Sequence, residues 1–172
     1  MRTIGLRAET DLEPATVFVT IADFGRYPVL AADVREVHTT PAARPGSPQQ
    51  SDWEVNFRRG IMRWSERELL DIDRLRIEFE QTDGDFEDFR GSWQLSPTLA
   101  GGTEIAFEVS YDFGIESLVG LMDPIAERVI KRVVCEVLAH SLENVRVLDG
   151  AEALRDLGEP LPALLSTTKG AF

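Results

Sequence analysis

From Gln50 to Asp112 apolar and polar side chains alternate with little interruption. Trp53, Val55 and Phe57 alternate with Glu54, Asn56 and Arg58, and Met62, Trp64 and Glu66 with Arg63, Ser65 and Arg67. Leu75, Ile77 and Phe79 then alternate with Arg74, Arg76, Glu78 and Glu80, and Ile105, Phe107, Val109 and Tyr111 with Glu104, Ala106, Glu108 and Ser110. Successive residues of a strand point to opposite faces, so this period of two predicts an antiparallel sheet with one apolar and one charged face. Arg59-Gly60, Asp71–Asp73, Asp83-Gly84-Asp85 and Ala100-Gly101-Gly102 supply the turns. Residues 3–9 and 34–40 read as two further strands. Between them Pro14 opens a helix with Val17, Phe18 and Ile21 on one face, expected to end near Gly25. Tyr27-Pro28 interrupts the chain before a short helix or turn over 28–32. Pro41–Pro48 reads as a loop.

The period changes after Asp112. Ser117–Met122 reads as a short helical piece, and Asp123-Pro124 as the cap and first residue of a new helix. Apolar residues at 125, 126, 129, 130, 133, 134, 137, 138, 142 and 145, with Ser141 on the same face, form a broad stripe at helical spacing. A helix running to Leu148 would be ~37 Å long at the helical rise per residue, with Gly150 ending it. The expected order is therefore a strand, two short helices, a run of about six antiparallel strands and one long helix. This is an α+β domain over residues 1–150, with six to seven strands in one curved sheet. Residues 151–172 read as an extension, weakly helical over 151–157 and then flexible. The sheet must bury its apolar face, and the long helix is the one amphipathic element able to cover it.

Length and composition agree with one globular domain: 172 residues, 43% hydrophobic and 28% charged. Thirty acidic against 18 basic residues leave a net charge of −12, which disfavours nucleic acid and anionic membranes as partners. No apolar run is long enough for a membrane span, and the N-terminus lacks the apolar core of a signal peptide. The lone Cys135 fits a reducing cytoplasm. Two histidines and one cysteine offer little to a soft metal, and no Gly-rich phosphate loop is present, so neither metal nor cofactor is expected.

The inward positions are rich in rings: Trp53, Phe57, Trp64, Phe79, Trp93, Phe107 and Tyr111. Either these rings fill a core, or several of them, with Met62 and Met122, line a cavity for a flat apolar ligand. Glu66 shares the face of Met62 and Trp64. A carboxyl there is costly unless it is paired, for instance with Arg90, turned to water by a bulge, or used as an acid or base with a raised pKa. His140 follows Glu136 by one helical turn, so the two read as an acid–base couple or as a solvated helix pair. Arg128 and Arg132 could meet an acidic helix or a substrate carboxylate, or simply face water. His38 reads as exposed.

Several stretches together resemble the START/Bet v 1-like superfamily, in its polyketide cyclase/aromatase and coenzyme-Q-binding branch. They are Val17-Phe18 with Asp23-Phe24-Gly-Arg-Tyr27-Pro28, then Ile61-Met-Arg-Trp64-Ser-Glu66-Arg67. Gly84-Asp85-Phe86 with Phe89-Arg-Gly91-Ser-Trp93 follows, then Gly102-Thr103-Glu104 and the long helix. The resemblance covers residues 3–148 and implies a helix-grip fold with a deep cavity. It implies a cyclase or dehydratase acting on a poly-β-carbonyl chain, with Glu66 as acid or base and Tyr27 and Tyr111 orienting carbonyls. It equally accommodates a carrier of a quinone, lipid or polycycle. An acyl carrier protein and a second copy of the chain are candidate partners. The Trp-x-Ser-x-Arg pattern of the aromatases is not kept: aligned on Trp64, their serine falls on Glu66 and their arginine on Glu68, so their mechanism does not transfer.

Overall fold

The computed structural model describes residues 1–58, 60–152 and 166–167. Strand β1 (Arg2–Thr10) leads into helix α1 (Pro14–Ala22), a 3-10 turn (Phe24–Arg26) and the one-turn helix α2 (Tyr27–Leu30). An antiparallel meander follows: β2 (Val34–Thr40), β3 (Gln49–Phe57), β4 (Gly60–Asp71), β5 (Arg76–Gly84), β6 (Asp88–Pro97) and β7 (Thr103–Asp112). A 3-10 turn (Glu116–Leu118) enters the long helix α3 (Val119–Ser141), and β8 (Arg146–Asp149) and β9 (Ser166–Thr167) close the described chain. The sheet order is β2-β3-β4-β5-β6-β7-β1-β8-β9. All neighbours are antiparallel except β8 and β9.

The alternation in the sequence is the alternation of burial. Trp53, Val55 and Phe57 are buried on β3, Trp64, Glu66 and Glu68 on β4, and Ile105, Phe107, Val109 and Tyr111 on β7. The residues between them carry exposed ion pairs such as Arg63–Glu54 at 2.9 Å and Arg7–Glu104 at 2.6 Å. Pairs of this kind contribute little stability, but they engage the arginines. The concave apolar face closes on α3, whose Val129, Ile130 and Val134 are buried against it. This is the helix-grip architecture.

Four expectations need correction. The long helix begins at Val119 and ends at Ser141, instead of running from Pro124 to Leu148. Asp123 makes no cap: it lies buried inside the helix, and its backbone carbonyl accepts the Tyr111 hydroxyl at 3.0 Å. After Leu142, Asn144 takes a left-handed conformation (φ 51°) and the chain turns into β8, where Ala8 faces Val147 and Arg146 pairs with Glu9 at 2.9 Å. Val145 and Leu148 continue the helical stripe, while Val145 and Val147 alternate as on a strand face, so β1's need for a neighbour decides the outcome. With β8 and β9 the sheet has nine strands, more than the six or seven expected. Helix α1 also ends at Ala22, before Gly25. The expected helical and flexible stretches at 153–165 and 168–172 lie outside the described residues.

Two glycines shape the sheet around the site. Gly84 ends β5 at φ 147°, and a Cβ there would come within 2.5 Å of the Trp64 backbone. Gly91 faces Phe79 across β5 and β6; a Cβ would meet that ring at 2.6 Å and the Glu108 carbonyl at 2.2 Å. The missing side chain is the space in which the Phe79 ring lies.

Candidate functional site

Between the sheet and α3 lies a cavity of about 80 Å³. Its walls are the rings of Phe24, Tyr27, Trp53, Phe57, Trp64, Phe79, Phe89, Trp93 and Phe107, with Val55, and Val129, Ile130, Val133 and Val134 of α3. One polar side chain is among them, Glu66. Six of the eight expected ligand contacts therefore surround one space: Trp53, Phe57, Trp64, Phe79, Trp93 and Phe107. Met62 and Met122 do not line it. Met62 is half-buried opposite Val55 near the β3–β4 turn, and Met122 lies half-buried in the first turn of α3.

The rings contact one another in an ordered way. Trp53 and Trp64 are direct cross-strand partners and stack with centroids 5.7 Å apart and planes 3° from parallel. Tyr27 meets Trp53 edge-on at 5.5 Å, and Trp93 lies 4.7 Å from Phe107. Such contacts add stability beyond the area they bury and hold the rings in place.

One stacked indole directs its N–H to a carboxyl and the other reaches a carboxyl through a hydroxyl. Trp64 Nε1 donates to Glu66 Oε2 at 2.7 Å. Trp53 Nε1 donates to Ser51 Oγ at 2.6 Å, and the Ser51 hydroxyl in turn donates to Glu68 Oε1. Glu66 is 4% exposed and Glu68 0%. Neither has an arginine, lysine or histidine within ion-pair distance among the described residues; Arg90 pairs outside with Asp88 at 3.6 Å. A one-residue shift in register between β4 and β5 falls at Ser65/Glu66, where Thr82 is the extra residue, yet Glu66 stays inward. Burial raises the Glu66 pKa well above the carboxylate range, and the neighbouring Glu68 adds to the rise while the indole N–H groups oppose it. Glu68 is also raised, first by burial, against the hydrogen bond from Ser51. A neutral carboxyl facing an apolar cavity can give a proton to a ligand oxygen and take one back.

The other candidate acids and bases are engaged elsewhere. The Tyr27 ring lines the cavity, but its hydroxyl donates to the Ile21 carbonyl at 2.7 Å and closes the end of α1. Its proton is therefore spent on the backbone, and burial together with the Glu66 charge raises its pKa well above the phenol range. Tyr111 is fully buried, outside the cavity wall, with its hydroxyl on Asp123 and its pKa raised chiefly by burial. His140 forms no couple with Glu136: its Nδ1 meets the Leu30 carbonyl at 2.8 Å, while Glu136 accepts the Ala32 N–H at 2.8 Å. Both fasten the α2 end to α3, away from the cavity. Arg132 pairs with Asp33 at 3.1 Å, and Arg128 reaches the Pro124 carbonyl at 3.3 Å. Burial pushes the Cys135 thiol up to about 12, leaving it inert.

Sequence reasoning missed Phe24, Val55, Phe89, the valines and isoleucine of α3, and Glu68. The period of two already carried Glu68, since it continues the inward series of Trp64 and Glu66. It also missed the clamp by Gln81, which hydrogen-bonds the Phe86 backbone through both amide atoms, at 2.8 and 3.3 Å, and holds that ring 5.6 Å from Trp64.

A curved antiparallel sheet gripping a long helix over an aromatic cavity defines the START/Bet v 1-like class. The sequence profile of the polyketide cyclase/dehydrase and lipid transport family matches residues 10–137, and the chain belongs to that family. Solved structures share the fold. TTHA0849 from Thermus thermophilus superimposes with a TM-score of 0.69 at 23% identity, over 80% of this chain and 92% of its own. The ZhuI aromatase/cyclase from Streptomyces sp. R1128 gives 0.68 at 18% identity, over 91% and 95%. A START superfamily protein from Mycobacterium smegmatis gives 0.70 at 12% identity, over 81% and 96%. No curated protein matches the chain. No described helix is long and apolar enough to cross a membrane, and no described group of His, Cys, Asp and Glu could hold a metal ion.

Proposed function

We propose that this protein binds a poly-β-carbonyl chain or the polycycle made from it between the sheet and α3, and promotes its cyclisation and dehydration in the cytoplasm. One observation carries the reading: a buried carboxyl without a counter-cation among the described residues, Glu66, is the polar group in an otherwise apolar, ring-lined wall. In its neutral form Glu66 donates its proton to a ligand carbonyl oxygen as a ligand carbon attacks that carbonyl, and the oxygen becomes a hydroxyl. The attacking carbon lies between two carbonyls and reacts in its enol form, and as its C–OH becomes C=O the carboxylate takes up that hydroxyl proton. In dehydration the same group protonates the departing hydroxyl, which leaves as water while the carboxylate so formed takes the proton from the neighbouring carbon. The stacked rings hold the chain folded, and most of the acceleration comes from that proximity.

A ligand of this size fills several hundred cubic ångströms, against the 80 Å³ between these walls. Binding therefore requires α3 and its Val129, Ile130, Val133 and Val134 to move outward from the sheet. An acyl carrier protein could deliver the chain, although the net charge of −12 opposes docking of an acidic partner. Glu66→Gln, tested in a polyketide-producing host and on purified protein, is expected to abolish the change in product pattern while preserving ligand binding. Unchanged products with Glu66→Gln would remove the residue from the mechanism.

A second reading, a carrier of a quinone, lipid or polycycle, draws support from the engaged hydroxyls of Tyr27 and Tyr111 and the distant His140, which leave Glu66 with few helpers. Native mass spectrometry separates the two: a stoichiometric ligand released on denaturation favours the carrier.

A further inference from the structure

We propose that Glu66 and Glu68 share a single proton, Glu68 carrying the charge and acting as the positioning residue that keeps Glu66 in its neutral, proton-donating form. Both lie on the inward face of β4, two residues apart, and both are buried. Every surrounding element withholds compensation. Strand β3 offers Gln49 and Ser51, both neutral, and the acidic Asp52, which bears on Glu68 as a like charge. Strand β5 places Phe79 opposite Glu68 and Gln81 opposite Glu66, and Gln81 is committed to Phe86. The turn before α2 brings Tyr27 and the acidic Asp23; α3 contributes apolar side chains. Two carboxylates in such a place would be costly, and two neutral acids would waste the donors aimed at them.

The hydrogen bonds decide which member keeps the proton. Glu68 receives the Ser51 hydroxyl, itself supported by the Trp53 N–H, and this chain of donors favours the ion. The other oxygen of Glu68, Oε2, is buried with no hydrogen-bond partner among the described residues, an acceptor that a shared proton would satisfy. Glu66 receives the one indole N–H of Trp64 and faces the cavity, where the neutral form is favoured. The pair thus resembles in principle any two carboxyls sharing a site, whose protons leave in two separate steps.

The test is infrared spectroscopy of the full-length, ligand-free protein, following the carboxylic-acid C=O band from about pH 4 to about pH 9, a range that starts near the ordinary glutamate value. It is independent of the cyclisation reading, because no substrate or turnover enters it. Wild type is expected to hold one buried protonated carboxyl at neutral pH, and Glu66→Gln to lose it. Glu68→Gln should retain the band but shift its titration down by about one pH unit or more, the coupling of interacting carboxyls, and Glu68→Asp should return it toward wild type. None or two protonated carboxyls in the wild type at neutral pH would overturn the proposal without any variant. So would a Glu68→Gln titration that coincides with wild type.

Discussion

Replacing Glu66 by glutamine should change the pH dependence of folding in a direction that its surroundings fix. The carboxyl is 4% exposed, has no counter-cation among the described residues, and has its pKa raised well above the ordinary range by burial and by Glu68. In the unfolded chain it ionises near the usual glutamate value of about 4.3. Between that pH and its folded pKa the native state keeps a proton that the unfolded state has released. Native protein then binds more protons than unfolded, so stability falls as pH rises, by about 1.4 kcal/mol per pH unit for one full proton. The stability is complete below the unfolded value and stops declining once pH passes the folded one. Glutamine has nearly the same shape, still offers an oxygen to Trp64 Nε1, and does not ionise. The difference in unfolding free energy, variant minus wild type, should be flat in acid and then climb toward about 1.4 kcal/mol per pH unit in favour of the variant. Taking the difference largely cancels groups away from the site, such as Asp112, held low by its backbone hydrogen bond from Gly114 and by the N-terminus, and Glu127, held low by Lys131 and Arg2 against its burial. Urea unfolding followed by tryptophan fluorescence at a series of pH values gives both curves, provided that the denaturant slopes agree. A difference that is flat across the whole range would show that Glu66 ionises alike in both states. One that climbs in favour of wild type would show that the folded protein stabilises its charge. Either result refutes the reasoning.

Val133→Phe projects a ring from α3 into the cavity and should abolish binding of a polycyclic probe while circular dichroism stays native; undiminished affinity would place the ligand elsewhere. Tyr111→Phe removes the hydroxyl that joins β7 to the Asp123 carbonyl and should cost about 1 kcal/mol, lowering Tm by about 2–4 °C, with ligand affinity retained. A larger loss of affinity than of stability would return Tyr111 to the site. Gly91→Ala sets a methyl within 2.6 Å of the Phe79 ring and 2.2 Å of a backbone oxygen, and should destabilise by about 1–3 kcal/mol in thermal melts. An unchanged Tm would mean that the two strands separate more readily than their packing indicates.

The meander was legible because half-burial leaves a simple record: each inward ring stands between outward charges, from Trp53 to Tyr111. Six cavity rings and Glu66 followed from the same record. The residues that escaped did so for physical reasons. Phe24 owes its place to a 3-10 turn, which leaves no periodic trace, and Phe89 shares the period of Trp93 and Leu95 on β6, but Gly91 interrupts the apolar series between them. The α3 contribution was blurred because a stripe of that width does not say which four side chains meet the cavity and which meet α1 and β1. The tyrosines misled, since a phenol beside a cavity reads as a ligand contact until the carbonyl that captures its proton is known; for Tyr27 that carbonyl is six residues away, for Tyr111 it is across the fold. The end of α3 was misread because Val145 and Leu148 continue the helical period while Val145 and Val147 suit a strand, and their partner strand is the first in the chain.

The position of that first strand has a consequence for assembly. β1 pairs along its whole length with β7, Arg2 opposite Tyr111 and Thr10 opposite Thr103, and its other edge waits for β8. Strands β2 to β6 each pair with the next in sequence, so their loops close early and at small entropic cost. The leading strand gains a neighbour only after about a hundred residues have followed it. On the ribosome it must therefore stay unpaired, with its apolar Ile4 and Leu6 exposed, until the meander is complete. Charged Arg7 and Glu9 on its other face then serve as its protection during that interval, discouraging association with a second nascent chain.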